Sequence, residues 1–461
     1  MNITIPERFK HIVLNIKHLT KELNVNAYIV GGFVRDLILE KEPKDLDIMV
    51  DAPQGGIMFA EALSKMFKYN DPVIFPRFGT AQLQMDKELV EFVMPRAELY
   101  FEGSRKPDTE FSNIKADALR RDFGCNSLFF RISDGEILDL TGHGFSDIKN
   151  KVISVTDRFN ESTIFSQDPL RMLRAIRFSC KLDFTIDMDT YNSIVGNASK
   201  IVSISYERIQ DELSKILTSD EPAEGVNLLR ETGLSKYILP EIDALDMEQP
   251  AEFHHKNVYE HTLLVLQNVK PTLELRLTAL LHDIGKPVKR TITESGIHFY
   301  EHEKASADIA LEFLSKLKYS NEIIDTVTFL VTNHMRPHSF ENQWTDSAVR
   351  RFVRDMGIYL DDIFEIVRAD VTSSKPAKIQ MHIDMLSKFK DRIVEVESVA
   401  KSTEIKPILN GNELMKLFNA KAGFWIRVVD ARLLHYQLEN PLVTKEEAIL
   451  LLTNDMENGT I

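Results

Sequence analysis

Apolar and polar positions follow two different rhythms along this chain. In residues 1–155, short apolar runs at 27–30, 47–50, 81–85 and 89–94 are cut by Gly, Pro and Asp, the pattern of strands between turns. From about Ser166 the apolar spacing changes to the helical period and mostly keeps it. "QDPLRMLRAIRF", "SYERIQDELSKIL" and "GVNLLRETGL" predict helices, and "MNITIPERFKHIVLNIKHL" predicts an amphipathic helix rather than a signal peptide. "LDMEQPAEFHH" reads as a linker before a second helical block at 253–375. A last helical piece follows "KPILNGNELMKLF" and ends near "VTKEEAILLL". The pattern predicts an α+β chain. A mixed α/β head with a small sheet covers 1–155, a helical neck 156–250, a helical block 251–375 and a helical tail 376–461.

Composition changes this picture little. The formal net charge of −14 means that any nucleic-acid contact must come from a local basic surface. Two cysteines, Cys125 and Cys180, argue against a disulfide framework or a structural cysteine zinc site. No apolar run reaches the ~18 residues of a membrane span, and the expected location is cytoplasmic.

Candidate chemistry starts in "YIVGGFVRDLILEKEPKDLDIMV". Asp45 and Asp47, at i and i+2, share one face of a strand, and two carboxylates on one face suit Mg²⁺. Gly31-Gly32 after a strand lets backbone N–H groups approach a phosphate. Arg35 and Asp36 follow in the first helical turn, where Arg35 would hold a triphosphate by forked hydrogen bonds. Alternation in "KELVEFVMPR" makes Glu91 available as a third carboxylate. Either feature alone is more often a plain turn or a solvated strand end; the ordered combination favours chemistry.

"GGFVRD" followed by "LDI" resembles the signature of the polymerase β superfamily of nucleotidyltransferases, and more narrowly the class II tRNA nucleotidyltransferase and bacterial poly(A) polymerase family. "ALRRDFGCNSL", "QDPLRMLRAIRF" and "SYERIQDELSKIL" are similar to later motifs of that family. The resemblance implies two-metal, in-line attack of an RNA 3′-hydroxyl on a nucleotide α-phosphate with release of pyrophosphate, and tRNA, CTP and ATP as partners, with no membrane and no protein partner implied. It also implies ribose or phosphate contacts for Arg120, Arg121, Asp122 and Asn126. The chain departs from the family at Gly124-Cys125, Ser127, Gln167 and "LTGHGF".

Asp168 and Arg171 are neighbours on one helix face, beside a buried stripe of Met172, Ala175, Ile176 and Ser179. An acceptor-only carboxylate and a donor-only guanidinium together satisfy cytosine and adenine, and reject guanine and uracil. An N-capping role for Asp168, with Pro169 after it, is equally compatible. Arg171, Arg174 and Arg177 form a basic stripe expected to meet triphosphate or tRNA phosphates.

In the second block, His261, His282-Asp283 and Asp370 occur in the order His…His-Asp…Asp, which resembles the HD superfamily of metal-dependent phosphohydrolases. His302 and His334 are further candidate ligands. Such a set suits a divalent transition metal. In the tail region, Lys375, Lys378, Lys388, Lys390 and Arg392 form a basic cluster, interleaved with acids, that fits either tRNA phosphates or a solvated helix. The expected function is CCA addition to tRNA. The alternatives are a poly(A) polymerase or partial (A- or C-adding) enzyme, an HD phosphohydrolase with an RNA-binding head, and an inert RNA-binding protein.

Overall fold

A computed structural model describes residues 3–99, 108–158, 161–247, 257–294, 296–340, 344–372, 376–402, 407–421, 423, 425–440 and 442–457. The first helix, Glu7–Leu23, buries Phe9, Ile12, Ile16 and Leu19 at three- and four-residue steps, so one stripe docks on the sheet and the other stays in water.

The sheet contains β1 (Ala27–Val30), β2 (Leu46–Val50), β3 (Val73–Phe75), β4 (Thr80–Met85) and β5 (Glu88–Val93). A separate hairpin follows, β6 (Arg96–Leu99) and β7 (Asp108–Phe111), and then β8 (Leu128–Arg131) and β9 (Ile137–Asp139) complete the sheet. Its order is β3-β4-β5-β2-β1-β8-β9, seven strands. Only β2 and β5 run parallel within it. The strands expected from sequence are present, with edges shifted by one residue in three of the four.

Register decides where the carboxylates stand. Asp47 pairs with Val30 on one side and Glu91 on the other. Directly paired residues share a face. That face carries a small apolar cluster of Tyr28, Val30, Met49, Ala118 and Phe129, closed by the helix Ile114–Arg120. Asp47 and Glu91 are therefore at the margin of this cluster, on the side from which Arg120 and Arg121 arrive. The other face packs on the first helix and on Gly55–Phe67 through Ile29, Ile48 and Phe92.

Beyond the head, the helix expected to select the base (the selector helix, Leu170–Leu182) packs on the neck helix (Tyr206–Leu217). The helices Val258–Asn268, Leu273–Leu281, His302–Lys316, Asn321–Asn333 and Leu360–Asp370 form the next bundle. One apolar core runs from Phe9 to Val396, while Leu409, Leu414, Val429 and Leu433 belong to a separate tail core. Most of the expected linker (its residues 248–255) and Lys375 fall outside the described residues. Among the described residues, no helix is long and apolar enough to cross a membrane.

Candidate active site

The head and neck residues given a nucleotide or metal role from sequence, except Glu91, line one cleft of about 670 Å³. Gly31 turns the chain at φ +75°, and a Cβ there would stand 3.6 Å from Asp47 Oδ2 and 3.8 Å from Arg121 Nη1. Asp45 is exposed just before β2, whereas Asp47 and Glu91 are half-buried. Burial, then the charges of Glu91 and Asp45, push Asp47 up to about 6, with Arg121 opposing. Burial also raises Glu91, against Arg96. Oxygen donors that hold protons this tightly are a fit for a hard divalent cation, which would take the protons' place.

The Arg-Arg-Asp motif is anchored by a residue that sequence reading missed. Asp117 is fully buried and accepts from Arg120 Nε (2.9 Å), Arg121 Nε (3.0 Å) and the Arg96 backbone N–H (3.3 Å). Burial opposes its charge, but Arg121 and Arg120 outweigh this and lower its pKa. Its place three and four residues before the two arginines was the available signal.

Several arginines are used differently from expectation. Arg35 is only 2% exposed. Its Nε and Nη2 donate to Asp36 Oδ1 (2.8 and 2.6 Å), and its Nη1 to Asn126 Oδ1 (2.5 Å). The fork expected to grip a triphosphate is turned inward and organises the cleft wall. Arg174 gives Nε and Nη2 to Asp122 Oδ2 (2.9 and 2.6 Å), and Arg177 gives Nε to Glu212 Oε2 (2.5 Å). The basic stripe is thus largely neutralised by Asp122 and the neck, because buried guanidinium groups demand partners. Burial opposes the Asp122 charge, and Arg174 overrides it.

The pair expected to select the base behaves differently. Arg171 gives Nη2 to the Arg120 carbonyl (2.7 Å), while its Nη1 is buried without a partner. Asp168 Oδ1 accepts from the Leu170 N–H (3.2 Å) one residue ahead of the helix N-cap, which is Pro169 rather than Asp168, and Oδ2 faces Arg208 Nη2 at 3.1 Å. Arg208 lies forty positions away on the neck helix, and no local pattern points to it. Lys41, Lys44 and Lys181 add further positive charge to the cleft.

Two departures from the family motif explain each other. A Cβ at Gly124 would come within 2.6 Å of the His143 ring and 2.3 Å of Asp147 Oδ2. The glycine makes room for the His143–Asp147 pair (2.9 Å), whose histidine "LTGHGF" supplies. Neither Gly124 nor Cys125 lines the cleft.

In the second bundle, His261, His282, Asp283, His302, His334 and Asp370 converge. His282 and His334 follow helix ends, His302 opens a helix and Asp370 closes one. His282, His302 and His334 each donate Nδ1–H to the carbonyl three residues earlier (2.9, 2.9 and 2.7 Å). A carbonyl only accepts, so the tautomer is set and each Nε2 is turned to the cluster. Gly285 is needed for this approach: a Cβ would lie 2.5 Å from Ser306 N and 2.7 Å from the His302 carbonyl. Burial opposes the charged form of His282, but Asp283 and Asp370 lift it to about 10. Burial and the His282 charge push His334 down to about 3. Buried imidazoles and carboxylates of this kind fit a divalent metal, which would displace the extra proton. Lys286, with Nζ 2.6 Å from Asp283 Oδ2, and His338, 3.1 Å from Asp370 Oδ2, are members that sequence reading missed.

In the basic cluster near the tail, Lys390 lies over the Phe364 ring and Arg392 pairs with Glu395 (2.7 Å); Lys378, Lys388 and Lys390 are all exposed.

Comparison with known proteins places names beside this geometry. Residues 27–154 match the "Poly A polymerase head domain", residues 183–246 the "Probable RNA and SrmB- binding site of polymerase A", and residues 258–369 the "HD domain". A CC-adding tRNA nucleotidyltransferase of Thermus thermophilus is 28% identical over 435 residues, 92% of each chain. A CCA-adding enzyme of Limosilactobacillus reuteri is 36% identical over 220 residues, covering 47% of this chain and 52% of its own. The fold matches that of the Bacillus stearothermophilus CCA-adding enzyme in complex with CTP, with a TM-score of 0.67, 22% identity, and 99% and 100% of the two chains covered. With the head, the RNA-binding segment and the HD domain in this order, the chain belongs to the tRNA nucleotidyltransferase and poly(A) polymerase family.

Proposed function

We propose that this enzyme adds CCA to the 3′ end of tRNA from CTP and ATP, releasing pyrophosphate. The observation that carries the reading is one cleft shared by the Asp45–Asp47 strand and the Asp168–Arg171 pair. Mg²⁺ held by Asp45, Asp47 and Glu91 would make the RNA 3′-hydroxyl a better nucleophile and stabilise charge on the α-phosphate and the leaving pyrophosphate. Gly31-Gly32 leaves the backbone open to the nucleotide's phosphates, and Arg121 adds positive charge beside it. Arg35, Asp36, Asn126, Asp122 and Arg174 form a partly buried ladder that fixes the wall against which the nucleotide lies. Arg120, held by Asp117, presents its carbonyl to Arg171 and so positions it. Asp168 accepts from the amino group of cytosine or adenine, and Arg171 Nη1 donates to the neighbouring ring nitrogen. A base with a carbonyl at the Asp168 position leaves two acceptors facing each other.

The remaining assignments follow from this reading. The head is 1–155, the neck and selecting region 156–250, the HD-type domain 251–375 and the tRNA-binding tail 376–461. The location is cytoplasmic. A transition metal in the HD domain would activate water against a phosphoester.

Labelled CTP and ATP, alone and together with Mg²⁺, test the proposal on a tRNA lacking its 3′ CCA. Two cytidines and one adenosine, then a stop, is the expected product. Arrest after two cytidines would place the enzyme with its CC-adding relative, and a long adenosine ladder would make it a poly(A) polymerase. Phosphoester hydrolysis that survives Asp45→Ala and disappears in Asp283→Ala would assign a second activity to the HD domain.

A further inference from the structure

The helix Ile114–Arg120 ends where Arg121 turns to extended backbone (φ −61°, ψ 169°). Carbonyls of a last helical turn have no partner within the helix and must find one elsewhere. Here two of them are taken by side chains from other segments. The Leu119 carbonyl accepts from the Thr156 hydroxyl at 2.6 Å, and the Arg120 carbonyl accepts from Arg171 Nη2 at 2.7 Å. The same Thr156 hydroxyl lies 2.8 Å from the Arg121 carbonyl. One oxygen thus holds the carbonyls on both sides of Arg120, and the carbonyl between them is left for Arg171.

The hydroxyl has one proton to give, so the two carbonyls share it, and both must stay within reach of one oxygen. That fixes the path of the chain on either side of Arg120. The peptide between Arg120 and Arg121 is held at its other end by the Arg121 N–H, which donates to the Ala118 carbonyl at 3.3 Å. Its carbonyl direction is therefore set, and so is the guanidinium docked on it. Arg171 Nη1 is buried without a partner, so nothing on that side aims the group. Thr156 is itself 2% exposed and well held. Its carbonyl faces His143 Nε2 at 3.2 Å, the Gly124 N–H donates to the Ser154 carbonyl at 2.9 Å, and Phe123 and Val155 form an antiparallel bridge. Thr156 does not line the cleft.

We propose that Thr156 is a positioning residue for base selection. By holding the Leu119 and Arg121 carbonyls it fixes the Arg120 carbonyl on which Arg171 docks, and so aims Arg171 Nη1 at the base. The inference rests on the reading of Arg171 as a base-reading donor and adds the residue that sets its direction. It also gives the His143–Asp147 pair a place in the same chain of contacts, behind the Thr156 carbonyl.

The test uses the full-length chain with CTP against UTP on a tRNA lacking its 3′ CCA, and ATP against GTP on a tRNA ending in CC. The readout is the ratio of kcat/KM within each pair. Thr156→Val keeps the shape and removes the donor, and should lower both ratios about tenfold, whereas Thr156→Ser keeps the donor and should return them to within about twofold of the parent. A merely structural loosening would slow all four nucleotides alike and leave the ratios where they were. In an Arg171→Ala background, Thr156→Val should change the ratios no further, because the two residues act as one unit. Unchanged ratios in Thr156→Val, no recovery in Thr156→Ser, or an equal further fall in the Arg171→Ala background would overturn the positioning role and leave base reading by Arg171 standing. Unchanged ratios in Arg171→Ala alone would overturn base reading by Arg171 itself. If Thr156→Val does not fold, Thr156→Cys, a weaker donor, should give a smaller fall in the same direction, and unchanged ratios there would equally overturn the role.

Discussion

In the head, Asp45 is exposed and Asp47 and Glu91 are half-buried beside an open cleft. In the HD bundle, by contrast, His261, His282, Asp283 and His334 are buried and already gathered. Among the described residues, the head carboxylates form no such gathered group. The contrast is chemical. A hard cation that keeps water and borrows phosphate oxygens needs only a partial set of protein ligands, so under the proposed function the substrate would complete the head site. Imidazole and carboxylate donors that surround an ion must be assembled in advance, at the cost of burying them. Tautomer control from the backbone offsets that cost by aiming each ring.

Asp47→Ala should separate the two centres most sharply. Loss of several kcal/mol of charge stabilisation predicts a fall in transfer of about 10³-fold or more, while manganese retained by the HD bundle stays unchanged. Near-normal transfer by this variant would remove the head as the catalytic centre. Asp168→Asn replaces an acceptor by a group that also donates. The ratio of kcat/KM for CTP or ATP over UTP or GTP should fall by roughly 10²-fold. An unchanged ratio would move base reading elsewhere in the cleft.

On the HD side, Gly285→Ala drives a Cβ into the backbone at Ser306 and His302. It should cost roughly 1–3 kcal/mol in thermal unfolding and weaken metal retention, leaving nucleotide selection intact. Equal melting and retention would show that the approach of this helix is adjustable. The smallest effect concerns His143. Burial opposes its charge, but Asp147 raises its pKa above the ordinary value of about 6.5. Its stabilising contribution is therefore full below that value and is lost as pH rises through the folded-state value. The stability difference between the parent and His143→Gln should be larger at pH 6 than at pH 9, and a difference independent of pH would mean that the ring acts by packing alone.

The elements legible in the chain were those specified by short-range chemistry. β1, the glycine turn, the Asp45–Asp47 pair and the buried stripe of the selector helix follow from local alternation and helical spacing. The order His…His-Asp…Asp was equally visible. Alternation also pointed to Glu91, and the register of β2 with β5 put it beside Asp47. What local pattern could not assign was the partner of each charge. Arg35, Arg174 and Arg177 looked free for phosphates, and each is occupied by Asp36 and Asn126, Asp122 or Glu212. Arg208 reaches Asp168 only because the neck helix packs on the selector helix. Asp283 comes between two histidine pairs only because five helices converge. Charge type and spacing belong to the sequence. Which oxygen faces which nitrogen is decided by packing between segments that are mostly well separated along the chain, 35 residues for Arg177 and Glu212 and 91 for Arg35 and Asn126, where burial makes an unpaired charge too costly to leave alone.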